Sequence, residues 1–399
     1  MKTQNIYYAI TSSRSLLIQM VFTLNAIYYV INAGLNPLQL VLIGTIMEVS
    51  VFLCEMPTGL VADHYGRKRS LFIGTFIIGI AHLLEGIFPA FWSIAIASGL
   101  WGLGWTFISG AEEAWIADEL EGRNLDSVFL KGAQFSSLGR FFGILLSVCI
   151  ATLFSVQVTI IIAGILLVLL AFGALSTMPE TKFVKISRKK DISAIHHLIT
   201  TIRHGARQIK GNTMLVSIAI ITILLGLASE GFDRLWGAHF IEDFHLPEDE
   251  SIYWFGAFYA VAFLLNIVVL KFVEGRFNKN YPLILLIANG LLIIVMLAFA
   301  FSSNFLLALL TFWIAGALRD VNYPLMSVMT NERLEAQGRA TALSMFGQLD
   351  AIGQIAGGPI IGLLALYTTI ASGIASTVVF ILPILFFLVL MQRKLAKSI

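Results

Sequence analysis

The chain has 399 residues, of which 58% are hydrophobic and only 13% are charged. A soluble domain carries about 25% charged residues, so the charge present here cannot cover the surface of a globule of this length. The composition therefore excludes an ordinary soluble enzyme. With 30 Phe and two Cys it also excludes a disordered or disulfide-stapled chain, and a net charge of +2 does not favour nucleic acid as a partner.

Long uncharged runs recur along the chain, and a bilayer-spanning helix needs about 20 mostly apolar residues. Cut at turn residues, these runs predict an all-α membrane protein with twelve transmembrane helices, at 10–33, 38–62, 70–88, 91–117, 130–153, 156–178, 212–236, 251–271, 281–301, 304–328, 340–365 and 369–391. The first run lacks the small-residue cleavage site of a signal peptide, so we expect it to be retained.

Lys and Arg fall on one side of these predicted spans. Of the 26, 22 lie at the two termini or in even-numbered connections, and none lies in an odd-numbered connection. The other four, Arg14, Arg140, Arg234 and Arg319, fall inside spans. Because basic loops stay in the cytoplasm, we expect a multi-pass protein of the plasma (inner) membrane with both termini cytoplasmic.

The connection between spans 2 and 3 carries a motif with the spacing G-x-x-x-D-x-x-G-R-K. It is formed by Gly59, Asp63, Gly66, Arg67 and Lys68. Glycines in such a turn let helix ends approach closely, and an aspartate can accept hydrogen bonds from the N–H groups at a helix N-terminus. In a chain of twelve spans, this motif resembles the signature loop of the major facilitator superfamily, and the chain is similar to its 12-helix drug:proton antiporters.

The resemblance implies two pseudo-symmetric six-helix bundles and a cytoplasmic latch. In that latch Arg67 meets Asp118 at the end of span 4, and Asp63 meets the start of span 11. The alternative is that the basic cluster serves only as a topology determinant.

A charge at the middle of the bilayer costs at least about 2.5–3.5 kcal/mol, so a charged residue inside a span is a candidate for function. The candidates for the proton-coupling site or substrate cavity are Glu48, Glu112, Glu113, Arg140, Asp233, Arg319, Asp320 and Asp350. Aromatic side chains deep in spans are further candidates for substrate contact, against the alternative of interface anchoring: Trp105, Trp313 and Tyr323. Arg14 and Glu85 are placed near span ends and expected to be interfacial.

The same charges also admit a structural interpretation, in which Arg140 neutralises Glu48 or Glu112 and Arg319 neutralises Asp350. Buried ion pairs stabilise a protein poorly compared with apolar packing, which favours a functional role for these charges over a purely structural one. A carboxylate beside a movable cation, in low dielectric, can bind and release a proton as access alternates.

A polar stretch divides the chain into two predicted six-helix bundles, 1–178 and 212–399, joined by a cytoplasmic interdomain loop at 179–211. The loop is read as a solvated basic connection, with an arm that binds acidic surfaces as the alternative. A shift of 214 residues superposes a Q-x4-G-x3-G pattern of span 5 on span 11, namely Gln134, Gly139 and Gly143 on Gln348, Gly353 and Gly357. Duplicated halves are typical of secondary transporters.

These features predict a secondary active transporter and not an enzyme. We expect alternating access driven by the proton gradient, with no cofactor and no metal site, and efflux of lipophilic or cationic drug-like molecules, hence a role in multidrug efflux and antibiotic resistance. Two alternatives stay open. One is a proton-coupled importer of a small metabolite, including an anionic one bound by Arg140 or Arg319; the other is a transport-inactive receptor or scaffold of the same fold. The expected partners are a small molecule, protons and the bilayer, with the protein monomeric.

Overall fold

The computed structural model describes residues 2–183, 203, 206–207, 209–274, 280–334 and 339–397. Within these residues the regular secondary structure is helical, and twelve helical stretches are long and apolar enough to cross a membrane. The predicted number of spans and the all-α class are therefore confirmed. Several helices extend beyond the predicted bounds, most clearly at Thr3, Leu125 and Lys397, because polar end turns outside an apolar run remain helical; other ends lie within one residue of the prediction.

We number the helices in chain order. Those of the N-terminal part are α1 (Thr3–Ile27), α2 (Pro37–Tyr65), α3 (Arg67–Ile87), α4 (Phe91–Ile108), α5 (Ala111–Glu119), α6 (Leu125–Leu153) and α7 (Val156–Thr177). Those of the C-terminal part are α8 (Thr213–Ala238), α9 (Glu248–Glu274), α10 (Tyr281–Ala300), α11 (Phe305–Asp320), α12 (Asn322–Asn331), α13 (Arg339–Tyr367) and α14 (Ile370–Lys397). Five-residue π-helical turns follow two of them, Tyr28–Asn32 after α1 and His239–Asp243 after α8.

Several turn residues that separate the predicted spans act as helix caps. The side chains of Asn36, Ser155 and Asn304 each accept a hydrogen bond, at 3.0–3.1 Å, from the backbone N–H three residues ahead. Such a bond satisfies one of the N–H groups that a helix start leaves unpaired. This explains why α2, α7 and α11 begin where the sequence breaks the apolar runs.

The described residues form two compact units. Unit 1 contains residues up to 183 together with His245–Ala260, and unit 2 contains those from 203 to Phe244 and from Val261 onward. The predicted boundary within 179–211 stays a prediction, since most of that loop lies outside the described residues. The assignment of the first half of α9 to unit 1 is not anticipated by the sequence.

Span 4 is interrupted between α4 and α5, where Gly110 adopts a φ of +72°. A helix end leaves carbonyl groups unpaired, and hydroxyls from neighbouring helices satisfy two of them. Thr58 Oγ1 donates to the carbonyl of Thr106 at 3.0 Å, and Ser70 Oγ donates to that of Phe107 at 2.6 Å. The break is thus a built feature of unit 1, and α5 begins immediately after it. Span 10 has a corresponding break between α11 and α12.

The repeated glycines have the same packing role in both units. A Cβ at Gly139 or Gly143 of α6 would overlap a carbonyl oxygen of α1, that of Ser12 or Leu16. In unit 2, Cβ atoms at the equivalent positions of α13, Gly353 and Gly357, would overlap carbonyl oxygens of α8, those of Ile223 and Leu227. Small residues let helix backbones approach closely in membranes, so the superposed pattern marks one helix contact that is made twice.

Candidate functional site

Unit 2 contains a cavity of about 580 Å³, a volume within the range of about 300–1,000 Å³ found for small-molecule sites. It is formed by side chains of α8 and α10 to α14. Five of the residues predicted from the sequence line it: Asp233, Arg319, Asp320, Tyr323 and Asp350. The structure thus brings together in one cavity residues that are up to 117 positions apart in the chain.

The guanidinium of Arg319 is held by Asp233. Its two terminal nitrogens donate to the two carboxylate oxygens of Asp233, each at 2.6 Å, which is the bidentate geometry of a strong charge-assisted pair. The Arg319 guanidinium carbon also lies 4.7 Å from the centroid of the Phe232 ring, within cation–π range. The static pair expected for Arg319 was with Asp350; the partner is Asp233 instead.

The other two carboxylates of the cavity have neutral hydrogen-bond partners. Asn266 Nδ2 donates to Asp320 Oδ2 at 2.5 Å, and Gln354 Nε2 donates to Asp350 Oδ2 at 2.8 Å. With Arg319 neutralised by Asp233, these side chains leave the cavity with a formal surplus of two negative charges. Asn266 and Gln354 are not predicted from the sequence, because candidates for the site were chosen by charge and an amide side chain is uncharged.

Two aromatic candidates of unit 2 differ in their surroundings. Tyr323 lines the cavity and is 83% exposed. Trp313 is half-buried in α11 and is not among the side chains that line the cavity. The ring next to the cavity charges is that of Phe232, which the sequence analysis did not single out.

Glu112 of unit 1 pairs with Arg14 of α1. Arg14 Nη2 donates to Glu112 Oε2, and Thr11 Oγ1 donates to Glu112 Oε1 at 2.9 Å. Because α1 begins at Thr3, Arg14 lies about three turns from the helix start and is 4% exposed; its expected position at the membrane interface stays a prediction. The expected pairing of Glu112 with Arg140 is replaced by this one.

The remaining unit 1 candidates differ in their surroundings. Arg140 is exposed on α6 and donates to Ser137 Oγ at 3.4 Å. Glu48 is half-buried in α2, and Glu113 is exposed in the first turn of α5. Trp105 is 40% exposed and stacks on Trp101, with ring centroids 5.6 Å apart and planes 7° from parallel.

Glu85 lies near the end of α3 as expected, but it is buried and fully engaged. It is 3% exposed, its Oε1 is 2.6 Å from His82 Nδ1, and its Oε2 accepts from the Tyr29 hydroxyl at 2.9 Å. The Tyr28 hydroxyl donates to its backbone carbonyl at 2.5 Å. Glu85 therefore fastens the π-helical turn after α1 to α3.

The motif loop between α2 and α3 contains the ion pair named from the resemblance. Arg67 Nη1 lies 2.6 Å from Asp118 Oδ2 in the last turn of α5. Its role as a latch stays a prediction. Asp63 is expected to contact the start of span 11, which belongs to unit 2. The side chains at that start lie outside those the structure describes, so this contact also stays a prediction.

Glu180 caps the helix that starts at this loop. Gly66 adopts a φ of +105°, and a Cβ there would lie 2.7 Å from Glu180 Oε2. The Lys68 backbone N–H donates to Glu180 Oε1 at 2.8 Å, so a carboxylate sits at the positive end of the α3 dipole. A Cβ at Gly59 would meet nothing within 4 Å, so the close approach expected of the motif glycines applies to Gly66 and not to Gly59.

The segment after α7 is tied to the end of α5. Trp115 Nε1 donates to the Pro179 carbonyl at 2.7 Å, and Glu119 Oε1 accepts from the backbone N–H groups of Thr181 and Lys182 at 2.6 and 2.9 Å. Lys182 Nζ pairs with Glu121. That hydrogen bond and the opposite charges lower the pKa of Glu121 and raise the pKa of Lys182.

The described residues contain twelve helices long enough to cross a membrane, and unit 2 contains a charged cavity of small-molecule size; together these are features of a polytopic membrane transporter. A family model described as Major Facilitator Superfamily matches residues 8–287. Because the match covers more than half of the chain, the protein belongs to the major facilitator superfamily.

Individual relatives agree with this assignment. The chain is 25% identical over 403 residues to a protein of Bacillus subtilis (strain 168) described as an uncharacterized MFS-type transporter YxaM, covering 98% of this chain and 96% of the relative. The crystal structure of the nucleoside transporter NupG matches with a TM-score of 0.76 at 15% identity, covering 98% of this chain and all of that one. A peptide transporter POT in complex with sulfate matches with a TM-score of 0.77 at 13% identity, covering 99% and 95%. These likenesses to solved structures show the fold alone.

Proposed function

We propose that the protein is a proton-coupled secondary transporter that exports lipophilic, cationic small molecules by alternating access. The observation that carries this proposal is the charge balance of the unit 2 cavity. Arg319 and Asp233 neutralise each other, while the hydrogen-bond partners of Asp320 and Asp350 among the described residues are amide side chains. A cation entering the cavity supplies the positive charge that these carboxylates lack.

Proton coupling follows from competition at the same carboxylates. A carboxylate with neutral partners in an apolar cavity binds either a proton or a cation, and burial disfavours its bare charged form. Loading the cation therefore releases a proton, and reprotonation releases the cation. The energy source is the proton gradient and no cofactor is required.

The cavity favours a cation over the anionic metabolite of the import alternative. An anion would need an uncompensated cation, whereas the charge of Arg319 is neutralised by Asp233. The Arg67–Asp118 pair and the Glu180 cap support a moving transporter over a static receptor, because both are intact at the motif loop. We place the protein in the plasma membrane as a monomer, with both termini in the cytoplasm, because the basic residues segregate to that side.

The test is flux in proteoliposomes under an imposed pH gradient, with tetraphenylphosphonium as the lipophilic cation. We expect uptake against its gradient only when protons move the other way, and a clear reduction of that uptake in Asp350→Asn. The matched control is Asp249→Asn, which removes the same charge from an exposed position outside the cavity. Equal, gradient-independent flux in all three proteins would rule out the proposal.

A further inference from the structure

We infer that the preferred substrate is an organic dication whose two charges are separated by an apolar spacer. The inference rests on the proposed function and narrows it from lipophilic cations in general to one chemical class. It comes from counting the charges of the unit 2 cavity, the surroundings of each charged group and the character of the walls between them.

Two of the four charged groups in the described lining of the cavity, Asp233 and Arg319, compensate each other. Asp233 and Arg319 form a closed pair through two 2.6 Å hydrogen bonds, and the Phe232 ring covers the guanidinium. Breaking such a bidentate pair leaves two uncompensated charges, which is costly at a partly buried site. This pair is therefore part of the scaffold, and it contributes no net charge to a ligand.

The two remaining carboxylates share no hydrogen bond with that pair or with each other. Asp320 ends α11 and takes one bond from Asn266 of α9, whereas Asp350 lies in α13 and takes one bond from Gln354 of the same helix. Each carboxylate uses only its Oδ2 atom in these bonds, so each keeps its Oδ1 atom as an acceptor. The cavity therefore presents two separate anionic positions.

The lining also contains polar side chains, but its apolar side chains contribute more of the cavity surface and favour an apolar spacer between the two charges. Leu225, Met296, Phe346 and Ile381 contribute to the walls, and burial of an alkyl or aromatic spacer against them stabilises the complex by about 25 cal/mol per Å². A monocation would leave one carboxylate unpaired unless that carboxylate kept its proton. A dication satisfies both.

This arrangement also fixes the stoichiometry of exchange. Binding of a dication displaces one proton from Asp320 and one from Asp350, so two positive charges enter the cavity and two leave it. Exchange of a dication for two protons moves no net charge across the membrane. If either aspartate is replaced by asparagine, one proton exchanges for two charges and the transport becomes electrogenic.

The binding test uses the full-length protein in detergent at about pH 8, which limits competition from protons. The probes are 1,6-diaminohexane and 1-aminohexane, which share one apolar chain and differ by one charge. We expect the diamine to bind at least about tenfold more tightly than 1-aminohexane, and Asp320→Asn or Asp350→Asn to reduce that preference to within about threefold. Asp320→Glu and Asp350→Glu keep the charge and should keep the preference.

Equal affinity for the two probes in the unsubstituted protein would overturn the inference. So would a diamine preference that survives both asparagine variants, because the second charge would then bind elsewhere. If an asparagine variant does not fold, the glutamate variants and the two-probe comparison in the unsubstituted protein still decide the question.

The transport test uses proteoliposomes in which the membrane potential is set with potassium and valinomycin. We expect diamine flux to follow the pH gradient and ignore the potential, and to become potential-dependent in Asp350→Asn. Potential-dependent flux in the unsubstituted protein would contradict the dication inference while leaving proton-coupled efflux intact. Absence of any proton-driven flux would instead contradict the proposed function.

Discussion

Arg14 of α1 and Glu112 of α5 form an ion pair inside unit 1, although 98 residues separate them in the chain. Their side chains are 5% and 15% exposed, so both charges are largely removed from water. Glu112 stands in the first turn of α5, immediately after the break in span 4. The pair therefore fixes the start of α5 to α1, while Arg67 and Asp118 fix its end to α3.

Removing one member of this pair should be more damaging than removing both. Arg14→Met leaves Glu112 as an uncompensated charge, and loss of one partner of a buried pair costs about 3–5 kcal/mol. The double variant Arg14→Met/Glu112→Leu has no stranded charge and should recover most of that stability. Thermal unfolding in detergent measures this; a double variant as unstable as Arg14→Met would show that the pair is not the cause.

The hydroxyl of Thr58 should stabilise the break in span 4. Thr58→Val leaves the buried carbonyl of Thr106 without its donor, which costs about 1–3 kcal/mol. The control is Thr45→Val, since the Thr45 hydroxyl donates only to the carbonyl one turn back in its own helix. The unfolding midpoints of the two variants are compared, and an equal decrease in both would mean that the interhelical hydrogen bond of Thr58 does not stabilise the protein more than an intrahelical one.

The repeated glycines should be equally sensitive in the two units. Gly139→Ala and Gly353→Ala each force a Cβ onto a carbonyl of the neighbouring helix, and overpacking of this kind costs about 1–3 kcal/mol. At Gly290 of α10 a Cβ meets nothing within 4 Å, so Gly290→Ala should be neutral or stabilising by about 0.5–1 kcal/mol. A large loss at only one of Gly139 and Gly353 would argue against a common packing role.

The Glu121–Lys182 pair should persist across neutral pH. Because the pKa of Glu121 is lowered in the folded protein, its ionised form contributes to folding stability above the ordinary carboxyl range. That contribution is lost as pH falls through the pKa of Glu121 in the folded protein. Because the pKa of Lys182 is raised in the folded protein, the contribution of its charged form to folding stability is lost only as pH rises through that raised pKa. NMR titration of ¹³C-methylated lysines should show the Lys182 pKa falling in Glu121→Gln. An unchanged titration would show that Glu121 does not influence Lys182.

The sequence predicts the number of spans because uncharged runs are a direct consequence of the bilayer as solvent. It does not predict the break at Gly110, since the carbonyl groups freed there are satisfied by hydroxyls of other helices, those of Thr58 and Ser70. The residues of the unit 2 cavity could be chosen as intramembrane charges, yet their partners could not. The Arg319–Asp233 pair and the Asn266–Asp320 bond depend on which helices pack together, and the sequence does not specify this. The amide of Asn266 is also uncharged, so it does not stand out among the polar residues of a span.

The most direct test of the account is proton release on binding of a cation to the purified protein in weakly buffered detergent solution. If the cavity carboxylates exchange protons for the substrate, addition of tetraphenylphosphonium should acidify the solution and saturate in parallel with binding. Asp320→Asn and Asp350→Asn should each reduce that release, while Asp249→Asn should not. Saturable binding without proton release would contradict the central claim that substrate and proton compete for the same carboxylates.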